Sequence, residues 1–155
     1  MSYALHIVLV EPEIPQNTGN IVRLCSALGA TLHLVKPLGF LLEDKYLKRA
    51  GLDYWPLVEI REHENYEAFE QSVPLKKYLM TSKGCHRPTD IAFFSECCLL
   101  FGGETKGLAP HILQKYPEDD LRLPMRDECR CLNLSNAVAV AAYEVMRQWG
   151  YPNLR

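Results

Sequence analysis

Short apolar runs alternate with helical stripes along this chain. Residues 4–10, ALHIVLV, form an uninterrupted apolar run closed by Glu11-Pro12, the pattern of a buried strand. After the loop EPEIPQ, Asn17 offers a helix N-cap. Ile21, Leu24, Cys25 and Leu28 then fall at i, i+3, i+4 and i+7, one stripe ending at Gly29. TLHLV (31–35) predicts a second strand stopped by Lys36-Pro37. Residues 43–50 read as a short charged helix, 57–61 as a strand or extended connection, and 64–71 as an acidic surface helix. KYLMTS (77–82) and CLLFG (98–102) are strand candidates that break into glycine loops, and LRLP (121–124) is another, halted by its proline.

The last element is nearly all apolar from Leu134 to Tyr143, with Leu134, Val138, Ala141 and Val145 at helical spacing. A helix apolar on most of its circumference is expected to be buried on several sides, against its own sheet and against another subunit. Strands alternating with helices predict an α/β fold, a mostly parallel sheet flanked by helices, in one domain over residues 1–155.

Composition narrows the function classes. Of 155 residues, 48% are hydrophobic and 23% charged, which excludes a disordered or fibrous chain. No apolar run approaches the roughly 18 residues of a membrane span, and the N-terminus lacks a secretion signal, so a cytoplasmic protein with no membrane partner is expected. Net charge −2 rules out coating by nucleic acid through bulk charge, so any such partner must meet a local patch. Residues 71–89 supply one candidate, with Lys76, Lys77, Lys83, His86 and Arg87 and no acid. Lys45, Lys48, Arg49, Arg122, Arg126 and Arg130 add further basic positions. Six cysteines without CxxC pairs are expected to be free thiols in a reducing compartment, and the five histidines look scattered.

Three loops that follow predicted strands carry unusual composition, and in α/β sheets such loops bind ligands. The first runs from Glu11 to Arg23; it is either a capped helix with a solvated arginine or a helix terminus that collects an anionic group. The second, FGGETKGL (101–108), has the glycine spacing of a P-loop but lacks its lysine and hydroxyl, so it is a turn or a close-approach ligand loop and not an ATP site. The third, Pro124 to Asn136, feeds the buried helix, which Asn133 or Ser135 can cap. Its Cys129-x-Cys131 pair has no further ligands nearby, so no metal is expected.

Taken in order, NTGNIVR (17–23), FGGETKGL (101–108) and LPM…CLNLSN (123–136) resemble the three motifs of the SPOUT RNA methyltransferases. EPEIPQNTGNI, KPLGF, AGLDYW and LNLSNAVAVAAYE extend the likeness over essentially the whole chain, to the small members that methylate the wobble ribose of tRNA. The resemblance implies a deep C-terminal trefoil knot, S-adenosylmethionine as methyl donor with S-adenosylhomocysteine as product, no metal, and a homodimer. It also implies 2′-O-methylation of a wobble cytidine or modified uridine in tRNA, leucine tRNAs in particular, with the anticodon stem-loop as partner. Methylation of another RNA site, or a non-catalytic knotted RNA-binding dimer, are the alternatives.

Residue by residue, the likeness places cofactor contacts at Met80, Gly102, Glu104, Leu123, Cys131, Leu132 and Ser135. Arg23 matches the family's catalytic arginine, and Asn17 and Asn133 match polar active-site residues. Tyr143 matches a tyrosine associated with tRNA handling, and Lys83, Arg87 and Lys106 complete the expected RNA contacts. Cys131 departs from the serine usual in related enzymes, and a thiol is the weaker hydrogen-bond partner.

Overall fold

The computed structural model describes residues 2–51 and 53–155. Six parallel strands run β1 (Ala4–Val10), β2 (Thr31–Val35), β3 (Ile60–His63), β4 (Lys76–Met80), β5 (Glu96–Gly102) and β6 (Asp120–Leu121). Their order across the sheet is β3-β2-β1-β5-β4-β6. The helices are α1 (Pro15–Leu28), α2 (Lys45–Gly51), α3 (Tyr66–Ser72), α4 (Pro110–Leu113) and α5 (Leu134–Trp149). The mixed α/β pattern is therefore built as expected, with β6 only two residues long because the chain leaves the sheet before Pro124.

Two apolar cores sandwich the sheet. On one face Ile21, Val22, Cys25 and Leu28 of α1 and Val138, Ala141, Ala142 and Val145 of α5 pack on Ile7, Leu9, Leu32, Leu34 and Leu99. On the other, Tyr66 and Phe69 of α3 and Ile112 of α4 pack on Val8, Val10, Leu79 and Leu100. Residues 64–71 are thus not a surface helix, since α3 starts at Tyr66, is capped by the Asn65 side chain, and buries two aromatic rings. In the single chain α5 buries one side only; Val140 is 53% and Tyr143 47% exposed. No helix among the described residues is long and apolar enough to cross a membrane. All six cysteines are free, and burial pushes the Cys25, Cys97 and Cys98 thiols up to about 12.

Three of the five histidines are not scattered. His6 Nδ1 and His33 Nε2 lie 2.8 Å apart, and His33 Nδ1 and His63 Nε2 lie 2.9 Å apart, a hydrogen-bonded row across β1, β2 and β3. Sequence spacing could not reveal it, because the row exists only in the strand register. Each link needs one N–H and one lone pair, so neutral rings satisfy it. Burial pushes His33 down to about 3 and lowers His6 and His63 as well. The unfolded chain therefore binds more protons below the ordinary histidine value of 6.5. Stability is fully present above that value and falls as the pH drops toward the folded value. Thermal melting from pH 7.5 to 4.5 is expected to show this loss, and His33→Gln to flatten it by up to about 1.4 kcal/mol per pH unit.

The strand order reverses between β1 and β5, and their ends are level because Val10 pairs with Gly102. Met80 is level with Phe101 and with Leu121, so the loops after β1, β5, β4 and β6 emerge side by side. This switch point is where open α/β sheets place ligands.

The segment leaving β6 runs closely against the 81–86 loop. Thr81 N–H donates to Leu121 O at 2.9 Å, and Arg122 N–H donates to His86 O at 2.7 Å. A Cβ at Gly84 would lie 2.6 Å from Leu121 O, so the contact leaves no room for a side chain there.

Candidate active site

The four loops enclose a cavity of about 490 Å³, within the range of small-molecule sites. Met80, Phe101, Leu108, Leu123, Leu132 and Leu134 supply apolar wall. Gly102 forms a cradle: a Cβ there would collide with the backbone of Gly107 and Leu108. The loop between them is closed by Gly107 N–H donating to Gly103 O at 2.9 Å, with Gly107 at φ 67°.

One carboxylate organises the floor. Glu104 Oε1 accepts from Glu13 N–H at 2.7 Å, while Oε2 accepts from Ile14 N–H at 3.0 Å and from Asn17 Nδ2 at 3.0 Å. In return, Thr105 Oγ1 donates to the Glu13 carboxylate at 2.7 Å, which holds that carboxyl below its usual range. The loops after β1 and β5 thus hold each other's acids.

The expected cap at Asn17 is overturned here. Helix α1 starts at Pro15 with no side-chain cap from its own neighbourhood, because Glu104 satisfies those N–H groups from 90 residues away. Asn17 lies inside the first turn and is buried.

Since a carboxylate only accepts, Asn17 must turn its NH₂ to Glu104 and its oxygen outward. That oxygen accepts from Asn133 Nδ2 at 3.0 Å. Asn133 Oδ1 in turn accepts from Ser135 Oγ at 2.6 Å and caps α5 through Asn136 N–H. Every amide in this Glu104–Asn17–Asn133–Ser135 relay has its orientation fixed by one charge.

The structure brings together Asn17, Met80, Lys83, Gly102, Glu104, Lys106, Leu123, Cys131, Leu132 and Asn133 as lining, with Ser135 joined through Asn133. Arg23 stands apart: it is exposed, outside the cavity, with its guanidinium 5.0 Å from the Tyr54 ring centre. Arg87 and Tyr143 line a second cavity of about 370 Å³, which shares Leu123 with the first. Reading residue types missed Glu13 and Thr105, whose pairing joins distant loops, and missed Arg122 and Arg130 as wall. With Lys83 and Lys106, these two arginines set four cations around a cavity whose one lining acid, Glu104, is already engaged.

The basic run at 71–89 shrinks. Lys76 pairs with Asp119 at 2.8 Å. Lys77 is buried, donating to Val73 O and Leu75 O, because its strand position faces the core. Lys83, His86 and Arg87 remain exposed. Among the described residues, no cluster of three or more His, Cys, Asp or Glu is placed to hold a metal ion.

Comparison with known proteins agrees with this architecture. The profile of the SpoU rRNA Methylase family matches residues 4–143. The chain belongs to that family. It is 47% identical to the tRNA (cytidine(34)-2'-O)-methyltransferase of Yersinia pestis, over 96% of each chain. A solved structure concerned with the 2-OH methylation of C/U34 on tRNA superposes with TM-score 0.90 and 45% identity, covering 96% of this chain and 97% of that one. The SpoU methyltransferase AviRb of Streptomyces viridochromogenes, solved with the cofactor AdoMet, shares the fold at TM-score 0.83 and 22% identity. It covers all of this chain and 60% of its own. In this SpoU family chain, the loops that matched family motifs in sequence are the ones that converge at the switch point.

Proposed function

We propose that this protein transfers a methyl group from S-adenosylmethionine to the ribose 2′-oxygen of nucleotide 34 of tRNA, a cytidine or modified uridine, with leucine tRNAs as substrates. One observation carries the reading: a glycine-cradled cavity at the switch point, formed by the motif loops of a chain 47% identical to a named position-34 methyltransferase. The mixed character of the cavity fits the donor. Met80, Leu123 and Leu132 suit an adenine ring, backbone at Gly102 and Cys131 suits its polar edges, and no side chain at Gly102 intrudes. Bound there, S-adenosylmethionine supplies an electrophilic methyl on a sulfonium.

The chain's own residues hold and align. The Glu104–Asn17–Asn133 relay fixes the loops that position both reactants. Cys131 serves through its backbone. Arg23 is assigned to holding the ribose or its phosphate and stabilising alkoxide charge, because a guanidinium with pKa above about 12 is a poor base. Its distance from the cavity in one chain is the reason to propose a homodimer in which a second copy brings Arg23 to the site. The exposed side of α5, with Val140 and Tyr143, suits such packing or an RNA contact. The close contact of the β6 exit with the 81–86 loop fits the trefoil knot that the family resemblance implies. Lys83, Arg87, Lys106 and Tyr143 are assigned to the anticodon stem-loop, and the cytoplasm is the proposed compartment.

The test is methyl transfer from labelled S-adenosylmethionine to unmodified leucine tRNA transcripts, mapped by nuclease digestion and mass spectrometry. A 2′-O-methyl group at position 34 is the expected product. Transfer to another nucleotide, or none, would sink the reading.

A further inference from the structure

We propose that α2 and the turn after it form the cradle for RNA phosphates flanking the methylated nucleotide; this rests on the function proposed above. Helix α2 exposes Lys45, Lys48 and Arg49. Among the described residues none of the three meets a carboxylate within 4.0 Å, whereas Lys36, Lys76, Lys115, Arg61 and Arg147 all do. The nearest acid in sequence is already engaged: Asp44 Oδ1 accepts from Tyr46 N–H at 2.8 Å and from Leu47 N–H, closing the start of the helix. Glu43 and Asp53 flank the segment without pairing to it. Lys48 and Arg49 have only the weak attraction of the helix C-terminus within the fold, and phosphates are the natural complement of three adjacent cations without carboxylate partners.

Helix α2 is packed closely on α1. Leu47 is fully buried, and Gly19 on α1 lets the two helices touch, since a Cβ there would stand 2.8 Å from Leu47 O. Arg23 follows Gly19 by one helical turn on the same face of α1. Its guanidinium covers the Tyr54 ring, which belongs to the chain just after α2. The surface of Arg23 and that of α2 are therefore continuous. A ribose held at Arg23 carries a phosphate on either side, and those phosphates reach α2 before any other unpaired basic cluster on this helix pair. Tyr46, 44% exposed with Lys45 Nζ 5.1 Å from its ring centre, adds an aromatic face for an unstacked base. Contacts of this kind position the RNA without reading its sequence.

The experiment compares wild-type protein with Lys48→Glu/Arg49→Glu and with the milder Lys48→Gln/Arg49→Gln, using leucine tRNA transcripts between 50 and 200 mM salt. Loss of two single-strand phosphate contacts lowers the slope of log affinity against log salt by about 1.4. At low salt the charge-reversed variant is expected to bind tRNA about tenfold more weakly and the neutral one less so. The defect should appear in KM for tRNA, with S-adenosylmethionine affinity unchanged and the melting temperature of the Lys48→Gln/Arg49→Gln variant within a few degrees of wild type. Equal slopes and affinities in all three proteins would overturn the assignment. So would a loss of tRNA binding that tracks a change of oligomeric state by light scattering, which would make α2 a contact between copies. Failure of the wild-type protein to methylate position 34 would instead remove the underlying function, a result read in the same assay without the variants.

Discussion

Gly102→Ala is expected to abolish binding of S-adenosylmethionine and to lower the melting temperature. The added Cβ would collide with backbone atoms of Gly107 and Leu108, and backbone cannot swing aside as a side-chain end can. The 103–107 loop must move, which breaks the Gly107–Gly103 hydrogen bond and the Glu104 contacts that depend on it. Overpacking of this kind costs about 1–3 kcal/mol in stability. Calorimetry should give no measurable heat of binding where wild-type protein gives a clear isotherm. Gly29→Asn, outside the cavity, is the control. Nothing lies within 4 Å of its Cβ position, and asparagine tolerates φ of 71°. That variant should keep cofactor affinity within a few-fold of wild type, so equal damage from both substitutions would refute the steric argument.

Arg23→Ala is expected to cut methyl transfer by about 10²–10³-fold, the usual effect of deleting one donor to developing charge. Cofactor affinity should change little, because Arg23 is assigned to the ribose or its phosphate and not to the methyl donor. The decisive form of the test mixes Arg23→Ala with Gly102→Ala subunits. If each site takes its arginine from the partner copy, a mixed dimer has one intact site. An equal mixture then recovers about a quarter of wild-type activity through random pairing. No recovery would place arginine and cofactor in the same subunit and would overturn the shared site. Arg23→Lys adds the second readout, since a pH profile unchanged by that swap argues against arginine as the titrating base.

Much of the architecture was legible because it is local. The runs at 4–10 and 31–35 are apolar over strand length and bounded by proline, and both are strands with those limits. The stripe through Ile21, Cys25 and Leu28 faces the core as its period requires, and Gly29 ends the helix at φ 71°. Most residues that the motif resemblance assigned to the cofactor come together around one cavity for the same reason, since each motif is a short loop with a fixed local path. What failed to show in the sequence was whatever depends on residues far apart. Asn17 looked like a cap because short polar side chains at helix starts usually are; the capping group is Glu104 instead, brought beside it when β5 pairs with β1. Lys76 and Lys77 looked like a basic patch because charge was counted along the chain, yet one is neutralised by Asp119 and the other faces the core.

The feature that began as a row of alternating strands and helices ends as the source of the site. Sequence by itself determined the elements, their order and their buried faces, since hydrophobic periodicity and turn chemistry act over a few residues. The tertiary structure alone decided that β1 and β5 are neighbours with Val10 level with Gly102, that Glu104 orients Asn17 and Asn133, and that Arg23 stands off the cavity. Register and strand order are long-range choices, fixed by how whole faces pack, and no short window of residues contains them.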